Sequence, residues 1–216
     1  MFGRFAKKSI KRHKPCQTTG AQRYTVGMTK APIFPLSSCI LALAMFVTPV
    51  FVAAQEPPKP TPSDQATFDV IGIAAQTNNA TEANADGQIP KLWQRLFMEG
   101  VLNRIPDRSD ESIIAVYTKY ATDENGDYTY IVGGKGPAGT KAPEGMVAVK
   151  VPAGKYLEFV SAKGPGQEVL PVIWTQIYRY FQGPGAPKRA FKTDFERYDG
   201  PFDPNAMQAH IFIGVK

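Results

Sequence analysis

The chain is poor in the side chains that carry most metal and nucleophile chemistry. Among its 216 residues are two cysteines and two histidines. Cys16 and Cys39 both precede residue 55, so the rest of the chain has no thiol for a disulfide framework, a cysteine nucleophile or a thiolate metal site. His13 lies in the same leading stretch. A Ser-His-Asp triad would depend on His210 alone, and no multi-histidine metal site can be built. Acidic residues are missing from residues 1–54, which hold eight Lys and Arg. The remainder has 17 basic and 19 acidic residues, a balance of −2, so the formal charge of +6 belongs to the leader. Phosphate affinity needs clustered cations, so no nucleic-acid partner is expected for the body. A hydrophobic content of 43% with 11% aromatics excludes a disordered chain.

Long apolar runs are also missing. The stretch from Cys39 to Ala54 is uncharged but only sixteen residues long, and it contains Pro49. A helical span needs about 20 residues. A basic segment precedes it, and Val52-Ala53-Ala54 ends it with small residues. That order predicts a signal peptide over residues 1–54, cleaved before Gln55, with Met28 as a possible true start. The product would be exported, periplasmic or secreted; an uncleaved anchor is the alternative. Residues 55–66 carry four prolines in their first nine positions and read as an extended linker. The folded part is expected over residues 67–216.

Within it, residues 68–75 are rich in strand formers, and residues 77–87 are small and polar, hence loop. Residues 89–105 follow helical spacing, with Pro90 in the first turn, where a missing N–H costs nothing. Residues 112–120 and 128–132 read as strands joined by a hairpin turn at Asp123-Glu-Asn-Gly126. Residues 146–151, 156–160, 189–198 and 209–215 read as further strands, and 169–181 as a second helix. A shift of 81 residues aligns the halves without a gap. It lays Pro90-Lys-Leu-Trp-Gln-Arg-Leu-Phe97 on Pro171-Val-Ile-Trp-Thr-Gln-Ile-Tyr178, Tyr117 on Tyr198, and Tyr130-Ile-Val-Gly133 on Ile211-Phe-Ile-Gly214. The expectation is an α+β fold. Duplicated strand–helix–strand–strand units would form one curved antiparallel sheet, with two helices on one face and a central cleft where a ligand fits.

Several pieces together resemble the GyrI-like, AraC-type effector-binding domain, including stand-alone forms from integron cassettes. They are Ile89-Pro-Lys-Leu-Trp93, Ala115-Val-Tyr117, Gly126-Asp-Tyr-Thr-Tyr-Ile-Val-Gly133, Val151-Pro-Ala-Gly-Lys-Tyr156, Trp174-Thr-Gln-Ile-Tyr178, Thr193-Asp-Phe-Glu-Arg-Tyr198 and the final Ile211-Phe-Ile213. The resemblance covers residues 68–216. It implies a binding protein for small hydrophobic or cationic aromatic ligands held between the two halves, with no cofactor. It also implies that Glu196 is a buried acid facing the ligand. Most relatives are cytosolic and many carry a DNA-binding module, so the expected export is a departure.

Read without the resemblance, Glu196 is a strand glutamate that could pair with Lys192 or Arg197. A carboxylate ringed by aromatics is costly to desolvate and favours a cation. Ala115 is its counterpart in the first half, so any cleft charge is one-sided. Trp93 and Trp174 hold matched helix positions and serve either core or pocket, with Trp174 on the acid's half. Tyr117, Tyr198, Phe97 and Tyr178 are further candidates for the lining. The alternatives to a binding protein are a hydrolase using Glu196 as general base, with Tyr117 or Tyr198 assisting, or a protein–protein adaptor. A haem role for His210 lacks a second ligand. Asp123 to Asp127 lacks calcium-loop spacing. Gly133 to Gly139 reads as a flexible loop, and Asn79-Ala-Thr81 is a glycosylation sequon.

Overall fold

Strand residues of this chain alternate between two apolar faces, and that alternation organises everything built on them. The computed structural model describes residues 59–216. The leader, its cleavage site and residues 55–58 lie outside the described residues. The strands are β1 (Thr61–Gln65), β2 (Phe68–Thr77), β3 (Ile113–Thr118), β4 (Tyr128–Gly136), β5 (Val147–Val151), β6 (Gly154–Val160), β7 (Thr193–Tyr198) and β8 (Ala209–Gly214). The helices are α1 (Asn79–Glu82), α2 (Ile89–Met98) and α3 (Gly166–Gln182), with a 3-10 turn over Val101–Arg104. Ile71, Ile73, Ala115, Tyr117, Tyr130, Val132, Leu157, Phe159, Tyr198 and Ile211 face α2 and α3, where Leu92, Leu96, Ile173 and Ile177 complete a buried core. Their neighbours one residue along, among them Val70, Val116, Ile131, Phe195 and Phe212, form a second apolar cluster on the opposite face.

The sheet has eight antiparallel strands in the order β1-β6-β8-β7-β3-β4-β2-β5. This is the expected class: α+β, a curved antiparallel sheet and two principal helices on one face. Phe68 on β2 meets Phe195 on β7 with ring centroids 5.3 Å apart, although two strands lie between them. At about 4.8 Å per strand a flat sheet would keep those strands near 14 Å apart, so the sheet curls. Backbones approach too closely for a Cβ where Gly72 faces Gly133 across β2 and β4. A Cβ on Gly133 would lie 2.0 Å from the Ile71 carbonyl oxygen.

The two halves meet at β3 and β7, where Ala115 pairs with Glu196. These are the residues that the 81-residue repeat makes equivalent, so the pseudo-twofold axis runs through this pair. The gapless alignment fails further along. Ala115 pairs with Val132 and Glu196 with Ile211. Ile211 is therefore the counterpart of Val132, not of Tyr130, and the last strand slips by two residues.

Each half also has one strand beyond the three-strand unit; β5 is the strand expected over residues 146–151, whereas β1 is not expected. β1 lies in the stretch read as a linker, yet it pairs along its length with β6, from Thr61 opposite Glu158 to Gln65 opposite Gly154. Pro62 is tolerated because β1 is an edge strand. Its counterpart β5 pairs with β2. Each half's first strand thus closes the other half's edge.

Five further assignments differ from expectation. α2 stops at Met98 because Gly100 turns left-handed with φ 57, and the chain goes on as the 3-10 turn. α3 begins three residues early and carries Pro171 inside it, whereas Pro90 sits in the first turn of α2. The polar stretch after β2 contains the short α1, capped by Asn78, whose side chain accepts from the Thr81 amide. Gly133 to Gly136 belongs to β4 and not to a loop. Residues 189–192 precede β7, with Phe191 at φ 48. No helix among the described residues is long and apolar enough to cross a membrane.

Candidate functional site

Glu196 sits on the helix-facing side of β7, at the axis, with 2% of its surface exposed. Burying a carboxylate costs several kcal/mol unless donors meet its oxygens. Three do. Tyr117 Oη donates to Oε1 at 3.0 Å, Trp174 Nε1 donates to Oε1 at 2.7 Å, and Tyr198 Oη donates to Oε2 at 2.5 Å. Burial pushes the Glu196 carboxyl above the ordinary range, and the three hydrogen bonds pull partly against it. Burial, then the nearby Glu196 charge, holds the Tyr117 and Tyr198 hydroxyls well above their usual value. Both therefore stay protonated and donate.

The two tryptophans occupy matched places on α2 and α3, but their indoles find different acceptors. Trp174 reaches Glu196, while Trp93 Nε1 donates to Tyr130 Oη at 2.8 Å. Trp174 meets the Tyr117 ring edge-on at 5.2 Å, and Trp93 meets Tyr198 edge-on at 5.1 Å. The sequence candidates Glu196, Tyr117, Tyr198 and Trp174 thus form one contiguous cluster.

An apolar cavity of about 390 Å³ opens beside it, between α2 and the start of α3. Its walls include Trp93, Phe97, Leu170, Tyr198, Phe202 and Met207. Phe202 stacks on Trp93 and on Phe97, at 5.4 and 5.6 Å. Phe97 is half exposed at the rim. Of the paired tryptophans it is Trp93 that lines this cavity; Trp174 lies behind it against the acid. The Tyr198 ring forms part of the wall and its hydroxyl points to Glu196, so one tyrosine separates cavity from carboxylate. Tyr178 stands elsewhere, at the far end of α3, beside a different cavity.

Sequence reasoning missed Phe202 and Met207, which lie in the connection between β7 and β8, where no periodicity marks a lining role. It also missed Tyr130. It missed a second buried acid, Asp194, which accepts from Arg189 Nη2 at 2.7 Å, Tyr120 Oη at 2.8 Å and the Gly214 amide at 2.8 Å. Asp194 lies two residues before Glu196 on β7 and so shares its face, but nothing local announces its partners.

The remaining motifs resolve into structural roles. Asn79 of the sequon is engaged: its Nδ2 donates to the Glu124 carbonyl and to Tyr178 Oη, and its Oδ1 accepts from Tyr128. His210 pairs with Glu158 at 2.8 Å. Asp123 caps its turn by accepting from the Asn125 amide. No group of three metal-ligating side chains occurs among the described residues.

Comparison with known proteins matches this geometry. Residues 65–215 fit the model of the integron-associated effector-binding protein family, Cass2. YobU of Bacillus subtilis strain 168, described as a candidate transcriptional regulator, is 32% identical over 149 residues, covering 67% of this chain and 90% of its own. The transcriptional regulator BrlR of Pseudomonas aeruginosa is 30% identical over 156 residues, 70% of this chain, and the match spans 53% of BrlR's length. Among solved structures, the integron cassette protein VCH_CASS2 from the mobile metagenome of Vibrio cholerae superposes with a TM-score of 0.59 at 30% identity, over 73% of this chain and 95% of its own. SAV2435, solved bound to tetraphenylphosphonium, shares the fold with a TM-score of 0.59 at 18% identity, over 73% and 94% of the two chains. With its family model, its identities and its sheet in agreement, this chain belongs to the integron-associated effector-binding proteins, a GyrI-like family.

Proposed function

We propose that the domain captures small aromatic ligands, cations in particular, in the cavity beside α2, with Glu196 as the anchoring charge. The observation that carries this reading is a single carboxylate, buried on the axis and separated by the Tyr198 ring from an apolar aromatic cavity. Aromatic faces attract a cation, and an adjacent buried carboxylate strengthens that preference. A ligand in the cavity reaches the acid by displacing the Tyr198 hydroxyl. The tetraphenylphosphonium held by SAV2435 has the chemistry this cavity suits.

The test is Glu196→Gln, read by tryptophan fluorescence against tetraphenylphosphonium and its neutral analogue triphenylphosphine oxide. The variant keeps shape and loses charge. The cation should lose on the order of 1–3 kcal/mol of affinity and the neutral analogue almost none. Equal losses, or none for either, contradict the reading.

The second part of the proposal concerns place. The basic, then apolar leader ending in Val52-Ala53-Ala54 supports export of the domain. Intact mass of the native product should correspond to a chain starting at Gln55. A soluble native product that retains residues 28–54 contradicts it.

A further inference from the structure

A second cavity, of about 370 Å³, lies at the far end of α3, away from Glu196. Its walls include Tyr178, Phe181, Phe191, Lys188, Arg189 and Lys216. Arg189 is the unusual member. Its side chain is 5% exposed, yet among the described residues only Asp194 accepts from it, through Nη2. Nε is buried with no partner. A guanidinium has five donors in a planar fork, and leaving them unmet in a buried place is costly. The rings around it, Phe191 at 4.5 Å, Phe181 at 5.7 Å and Tyr178 at 5.9 Å, stack on the cation but accept no conventional hydrogen bond.

We propose that this cavity is a second ligand site, independent of the central cleft, and that it takes small aromatic carboxylates. The carboxylate meets Arg189 where the guanidinium lines the cavity, a charge-assisted contact that favours carboxylate over a neutral group. The ligand ring packs among Tyr178, Phe181 and Phe191. Lys188 at the wall supplies a positive charge and Glu124, on the same wall, an opposing one. Asp194 holds one end of the guanidinium and the Arg189–Val215 bridge holds the backbone, so the fork is fixed before a ligand arrives.

The experiment uses the full chain with 4-fluorobenzoate as the probe, observed by fluorine NMR line broadening, and 4-fluorobenzamide as its neutral twin. Saturable binding of the benzoate, about tenfold or more tighter than the amide, is expected. Arg189→Gln would strand Asp194, so two milder variants carry the test. Arg189→Lys keeps a charge for Asp194 but removes the fork. Lys188→Glu reverses a charge at the wall without touching that ion pair. Each should weaken the benzoate several-fold while its thermal unfolding stays close to that of the parent. Absence of saturable binding, equal binding of the amide, or undiminished benzoate binding in Lys188→Glu overturns the proposal, the last because the probe would then sit elsewhere.

Discussion

At the scale of single residues the axis pair dominates. Glu196 is tolerable because Tyr117, Trp174 and Tyr198 meet it and because Ala115 opposite carries no charge. Ala115→Glu would set two buried carboxyl groups side by side. Like charges at that range keep one of them protonated. The variant should lose about 3 kcal/mol or more at neutral pH, and the sign of its pH dependence is fixed. Folded carboxyls whose affinity for protons exceeds the unfolded value give stability that is fully present below the unfolded range and lost as pH rises through the folded one. Urea unfolding at pH 4 and pH 7 should therefore show the variant nearer to the parent in acid; an equal deficit at both values would point to steric crowding alone. The acid and its missing twin were legible in the sequence, because the repeat placed Ala115 and Glu196 in register. Its three donors were legible as a set of aromatics but not as donors, since which hydroxyl or indole reaches an oxygen depends on how the sheet curls under the helices.

At the scale of elements, what could be read was whatever announces itself locally. The tyrosine-rich β4, the helix carrying Trp93 and the hairpin turn at Asp123 all show a period or a turn signal of their own. β1 does not. Its five residues, beginning at Thr61 between two prolines, are a strand only because β6, nearly a hundred residues later, offers an edge. The extra length assigned to α2 has the reverse cause: hydrophobic spacing continues through Ile105, but Gly100 ends the helix first. The close approach at Gly72 and Gly133 was likewise invisible, since a glycine in a strand does not say what presses against it. Gly133→Ala would drive a methyl group into the Ile71 carbonyl, with backbone on every side and no flexible neighbour to yield. A loss of at least about 2 kcal/mol is expected in denaturant unfolding, against about 0.5 kcal/mol for an ordinary surface change. A neutral result would mean that β2 and β4 can separate there at little cost.

At the scale of the whole molecule, the exchange of edge strands makes the halves interdependent. β1 leaves the first half to close the second, and β5 leaves the second to close the first. A chain starting at Thr67 should consequently destabilise β6, in the half it does not belong to. Compared with a chain starting at Lys59, it should melt lower by several degrees, as expected when about 1 kcal/mol or more is removed from a domain of this size. Hydrogen exchange should quicken first at Tyr156 and Glu158, whose backbone groups face β1 and lose their partners. If the faster exchange appears in β2 instead, the exchange of strands is misassigned.

The pairing of Ala115 with Glu196 has a consequence for how such a molecule comes to recognise anything asymmetric. Doubling a unit places two copies of each residue at separate addresses, where both copies can keep their character. The residue on the axis has no separate address, because its neighbour across the strands is its own copy. An uncharged residue can remain the same there indefinitely, whereas a carboxylate compels its twin to change. A single acid on this axis is therefore the point at which two like halves are obliged to become unlike, so that the axis carries one charge rather than two.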